Sequence, residues 1–210
     1  MLLFSAMLAS TFLDQFLNRQ IEDVIKSPAG LSNIIWFWGA ISLISSMVFP
    51  LLFSLFCSHA LVHTASSTSH FVAEKFELSL LETIRAWGKT FLWSLLFIIP
   101  GLIKYSYYLL TPFVVFFSQK YSRGEVDALK YSELISKKFW WKLNFWLTLF
   151  YFIFPLLISS FLDDYRLFRT HPFTALMCVM LECLLVLIFH YQILKLFLTK
   201  LDEVNDGSYV

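Results

Sequence analysis

Charge is what this chain has least of. Only 15% of its 210 residues are Asp, Glu, Lys or Arg, against about 25% in soluble domains. None of them falls between Lys26 and Glu74. A water-soluble fold of this size would have too few charged side chains to cover its surface. The two signs nearly balance, at a net charge of +1, so no global field attracts nucleic acid. Glycine is scarce, with six in the chain, and no phosphate loop is present. The three cysteines, Cys57, Cys178 and Cys183, lie in apolar runs without two-residue spacing. They read as small buried hydrophobes and not as metal or redox ligands. No Ser-His-Asp set or pair of catalytic carboxylates is visible, and Asp163-Asp164 reads as a solvated turn. The expectation is therefore a non-enzyme with no catalytic residues, metal or cofactor.

What is present is apolar surface. Hydrophobic residues make up 58% of the chain, including 24 Phe and 7 Trp. Mean hydropathy is +0.68. Lipid can accept that much aromatic area, and the chain reads as an all-α polytopic membrane protein of four to six membrane segments. The pattern predicts one membrane domain over residues 1–210. Met1 to Leu13 is apolar but lacks the basic start and small-residue cleavage site of a signal peptide.

The segments follow from hydrophobic periodicity. Residues 11–26 repeat at 3.6, with Leu13, Phe16, Leu17, Ile21 and Val24 on one face, and Ser27-Pro28-Ala29-Gly30 stops the helix. Residues 73–87 and 125–138 read as two further amphipathic, interfacial helices. In the second of the three, Ala73, Phe76, Leu80, Ile84 and Trp87 form the apolar stripe. The apolar runs 34–62, 90–118, 143–162 and 173–198 are the membrane segments. Run 90–118 would be about 44 Å long as one helix, against roughly 30 Å of hydrocarbon. It reads as broken at Pro100-Gly101, or as a hairpin with its tip near one surface, since Lys104, Tyr105, Tyr107 and Tyr108 follow. Pro50 and Pro155 are the other expected breaks. Val48–Ser54 echoes Ile153–Ser159 and, loosely, Ile99–Ile103, a weak repeat of the kind seen in transporters. The basic stretch from Lys120 to Lys142, with Trp140 and Trp141 beside it, is expected in the cytoplasm, and the C-terminus with it.

Four side chains form the candidate intramembrane polar site. Glu182 lies in the last apolar run, with His190 eight residues on, and His59 and His63 stand one turn apart at the end of the first. Such groups relay protons, hold an ion or make polar helix contacts. His59-x₃-His63 lacks a third ligand. Lys104, Lys137 and Lys138 are candidate lipid-headgroup contacts, with Lys104 otherwise a snorkelling anchor.

The central third carries a more specific pattern. It contains Trp93, Ile98-Ile99-Pro100-Gly101-Leu102-Ile103-Lys104-Tyr105-Ser106-Tyr107 and Pro112. Ala128-Leu129-Lys130-Tyr131-Ser132-Glu133-Leu134-Ile135 and Lys138-Phe139-Trp140 follow. This resembles an uncharacterised bacterial family of inner-membrane proteins related to the membrane domain attached to some glycerophosphoryl diester phosphodiesterases. The likeness spans roughly Arg85 to Phe150. Ser136-Lys137 stands where that family usually has glycine. The resemblance implies a polytopic inner-membrane protein, with the Ala-Leu-Lys-x-Ser helix cytoplasmic and no established catalytic residues. The expected function is a scaffold, regulator or accessory subunit. Its expected partners are membrane lipids and another membrane protein or a second copy. A small transporter or channel component using Glu182 is the alternative.

Overall fold

The structure is a computed structural model describing residues 2–26, 33–62, 68–162 and 165–203. Among these the chain is helical, with no strand: α1 (Leu2–Lys26), α2 (Ile34–Val62), α3 (Thr68–Leu96), α4 (Ile98–Tyr108), α5 (Thr111–Phe117), α6 (Gln119–Ser122), α7 (Ala128–Lys138), α8 (Trp140–Thr148), α9 (Phe154–Leu162) and α10 (Pro172–Asp202). Among the described residues, four stretches are long and apolar enough to cross a membrane: Ile34–Val62, Ile98–Phe117, Trp140–Leu162 and Pro172–Asp202. This is an all-α integral membrane protein.

Two of the three amphipathic segments extend further than their periodicity indicates. The first is the second half of a 25-residue helix, α1. Residues 73–87 belong to a 29-residue helix, α3, which continues to Leu96 and takes in the first residues of the run expected at 90–118. The third begins at Ala128, not 125, because Asp127 caps it by accepting from the Lys130 backbone N–H at 3.1 Å. The expected stop at residues 27–30 lies outside the described residues.

Three prolines that look alike in sequence sit in three different backbones. Helix α2 runs through Pro50 without interruption. The break expected at Pro100-Gly101 falls earlier, at Phe97, which is extended at φ −157° and ψ 142°. A helix continuing through Pro100 would leave the Leu96 carbonyl without a donor and press the ring against it. The chain instead turns at Phe97 and restarts, with Pro100 in the first turn of α4, where no amide donor is required. Before Pro155 the helix widens into a π-turn over Leu149–Ile153. That widening accommodates the proline ring within an otherwise continuous segment. The sequence echo therefore does not repeat one structural break.

The chain forms two compact units. The first comprises Met1–Phe56 and Leu156–Val186, the second Cys57–Pro155 and Leu187–Val210. In the first, Phe12 stacks on Phe168 with ring centres 4.1 Å apart, and Phe16 meets Trp38 edge-on. Met7, Leu17, Ala175 and Val179 are buried there.

The core of the second unit is α5, where Phe113, Val114, Val115, Phe116 and Phe117 are all buried. Helices α3 and α7 pack against it. Phe113 also meets Phe197 on the last turns of α10, at 5.9 Å. Helices α3 and α4 form an antiparallel hairpin about Phe97. The crossing is so close that a Cβ on Gly101 would stand 2.1 Å from Ser94 Oγ and 2.8 Å from Ser94 Cα. Only glycine fits there. The face of α3 that packs inward carries Phe71, Ser79 and Ala86, whereas Ala73, Ile84 and Trp87 of the apolar stripe remain exposed.

Candidate functional site

The hairpin and α7 assemble a polar junction that neither element holds alone. Lys104, one turn past Gly101 on α4, points across to α7. Its Nζ donates to both oxygens of Glu133 at 3.0 Å. The same ammonium lies 5.7 Å from the ring centres of Trp93, Tyr107 and Tyr108, within cation–π range. Lys137, one turn beyond Glu133, completes the cluster at 2.9 Å. It also lies 5.5 Å from the Tyr107 ring. Burial opposes ionisation of Glu133, but Lys137 and Lys104 outweigh it and hold the carboxyl below its usual range.

Helix α7 is fixed to α4 through backbone as well. The hydroxyls of Ser132 and Ser136 both donate to the Tyr107 carbonyl, at 2.6 and 3.1 Å. Both serines are fully buried. Two small residues at i and i+4 allow the helices to approach and satisfy an acceptor in doing so. The blocks 98–107 and 128–135 that carry the family resemblance are therefore in direct contact.

A second polar cluster lies where α3 meets the loop before α7. Arg85 Nη2 reaches Asp127 Oδ2 at 2.6 Å, and its Nη1 reaches Glu82 at 3.3 Å. The Tyr121 hydroxyl donates to Glu82 at 3.3 Å. Burial, then the Glu82 charge, pushes the Tyr121 phenol up to about 12, so it remains a donor. Asp127 is partly desolvated, yet the Lys130 amide and Arg85 hold its carboxyl below the usual range. Gly124, at φ +74°, turns the chain between α6 and α7. Few other residues adopt that conformation.

Of the candidate headgroup contacts, Lys104 is therefore half-buried and paired, Lys137 is paired but exposed, and Lys138 is exposed. Trp141 beside them is 80% exposed.

Each described intramembrane candidate has its own neighbours within its unit. Glu182 forms an ion pair with Arg166 from the loop that leads into α10. Gln15 on α1 clamps that loop with its side-chain amide. Nε2 donates to the Arg166 carbonyl at 2.9 Å, and Oε1 accepts from the Phe168 amide at 3.3 Å. His190 packs against the rings of Phe113 and Phe189, and His59 against Phe71. His63 lies outside the described residues. No group of three or more His, Cys, Asp or Glu able to hold a metal occurs among the described residues. Sequence periodicity did not identify Arg166, Gln15 or Glu133. The available signal for Arg166 was the requirement that a lone carboxylate in an apolar helix find a cation.

No family model matches the chain, and no curated protein or solved structure matches it.

Proposed function

We propose that the protein is a non-enzymatic accessory or scaffold subunit of a bacterial cytoplasmic membrane, acting through contact with lipid. One observation carries this reading. Ala73, Ile84 and Trp87 of the α3 apolar stripe stay exposed, and Phe76 and Leu80 half-buried, while Phe71, Ser79 and Ala86 pack inward. A helix built this way would be poorly placed in water but suits the membrane interface. The junction beside it has interfacial composition: Lys104 among Trp93, Tyr107 and Tyr108, then Lys137, Lys138, Trp140, Trp141 and Lys142. Basic residues at that level attract anionic headgroups by about 1 kcal/mol each. Under the positive-inside rule this loop and the C-terminus are cytoplasmic. The resemblance of blocks 98–107 and 128–135 to the phosphodiesterase-associated membrane family is part of the same reading and rests on their sequence. A second membrane protein or a second copy is the expected partner, and nucleic acid is not.

Native mass spectrometry of the detergent-extracted protein tests the lipid reading. Phosphatidylglycerol should remain bound where phosphatidylethanolamine does not, and Lys137→Gln with Lys138→Gln should reduce the anionic adducts. Equal retention of the two lipids would refute it. A small transporter is the second reading, favoured by the Arg166–Glu182 pair in an otherwise apolar segment. It predicts ion flux in liposomes that Glu182→Gln abolishes.

A further inference from the structure

We infer that the α3–α4 hairpin is a re-entrant wedge. Its apolar tip enters the acyl region of one leaflet and returns to the same face, so Ile98–Phe117 does not cross the membrane.

Three observations lead there. First, the tip is apolar and uncovered: Leu95, Leu96, Phe97, Ile98 and Ile99 are each between 65% and 76% exposed. Water is a poor solvent for such a patch, and it exceeds what isolated surface hydrophobes explain. Second, polar groups close off the patch on both strands of the hairpin. Lys89 precedes it on α3, and Lys104, with Glu133 and its three aromatic rings, follows it on α4. Between them, the seven residues Thr90–Leu96 rise about 10 Å as helix. A single leaflet contributes roughly 15 Å of hydrocarbon. The tip thus fits within one leaflet and is too short to reach the other side.

The third observation concerns what would have to accompany a crossing. Helix α3 packs along both α4 and α5. Phe71 meets Phe116 near its start, and Ser94 meets Gly101 near its end. If Ile98–Phe117 spanned the bilayer, α3 would be drawn through beside it. That would place Glu74, Lys75, Glu77, Glu82, Arg85 and Lys89 in hydrocarbon, where each is costly. Protein, not lipid, already covers the apolar residues of α5. In the most apolar stretch of Ile98–Phe117, 44% is buried within the protein, against 6% for Trp140–Leu162.

The inference deepens the lipid-contact reading and rests on it, but its test is topological. It can fail while anionic lipid retention survives, and the reverse. Single cysteines at Glu74, Phe97 and Glu125 are introduced into the full-length protein, whose own cysteines are buried. Each is labelled with a membrane-impermeant maleimide in right-side-out and inverted vesicles. Positions 74 and 125 should react from the same side, and position 97 from neither. A lipophilic fluorophore at 97 should be quenched by lipids brominated along the acyl chain. Labelling of 74 and 125 from opposite sides would overturn the wedge. So would reaction of 97 with the impermeant reagent or absence of quenching. If Phe97→Cys fails to accumulate, Leu96→Cys carries the same readings.

Discussion

Gly101 concentrates the steric demands of the hairpin in one hydrogen atom. Replacing it with alanine brings a methyl into the Ser94 backbone as well as its side chain. Overpacking of this kind costs about 1–3 kcal/mol. Gly101→Ala should lower the melting temperature in detergent by several degrees. Adding Ser94→Gly should recover only part of the loss, because it removes the Oγ and Cβ contacts but leaves Cα at 2.8 Å. Full recovery would place the strain in the serine side chain alone. Glu133 is the other decisive residue. It is the shared anion for Lys104 and Lys137, and hydrogen bonds to charged groups are worth about 1.5–3 kcal/mol. Glu133→Gln leaves the half-buried Lys104 among aromatic rings without its counter-charge. It should therefore destabilise the protein more than Lys137→Gln, whose lysine is exposed. Thermal unfolding followed by circular dichroism distinguishes the two.

Helix α7 depends on the residue just before it in two separable ways. Asp127 caps the helix and also pairs with Arg85. Asparagine retains an N-cap oxygen but not the charge, and alanine retains neither. Loss of a cap costs about 1 kcal/mol, so Asp127→Ala should be the more damaging change, with Asp127→Asn intermediate. The carboxyls of Asp127 and Glu133 are both held below their usual ranges in the fold. A depressed carboxylate contributes stability that is complete above its unfolded value, about 3.9 for Asp and 4.3 for Glu. That stability is lost as pH falls through the lower folded value. Melting temperature should therefore be level above about pH 5 and decline below about pH 4. In the Asp127→Asn, Glu133→Gln double variant the decline should be shallower.

The existence of the helices was legible in the sequence because apolar runs and a 3.6-residue period report directly on burial and lipid contact. The exact breaks were less so. Pro100 announces a discontinuity, but its missing donor affects the carbonyl four residues earlier, and the chain relieved that at Phe97. On α3 the apolar stripe was visible, but not the face that packs inward, since Ser79 and Ala86 contribute through small size. Lys104 stood out as the lone charge in its run, whereas its partner Glu133 lies on another helix 29 residues away. No short-range pattern encodes that distance.

At the scale of the whole molecule, six charges on α3 oppose its passage through the bilayer. Carrying a charged residue to the middle of a bilayer costs about 2.5–3.5 kcal/mol on insertion scales. Six such residues would outweigh the apolar gain of a helix whose core-facing half is already covered by protein. With Ile98–Phe117 confined to one leaflet, as proposed, the remaining candidate spans are Ile34–Val62, Trp140–Leu162 and Pro172–Asp202. Three crossings place residues before α2 and residues at the end of α10 on opposite sides of the membrane. A crossing by Ile98–Phe117 without α3 would make four and place them together, whereas one that drew α3 through as well would make five, keep the parity and bring Phe97 to the far surface. The parity is read most directly from two single-cysteine variants, Arg19→Cys and Lys200→Cys, labelled with an impermeant maleimide in vesicles of defined orientation. The account predicts that position 200 reacts only from the cytoplasmic side and position 19 only from the opposite side. Reaction of both from the same side would contradict it.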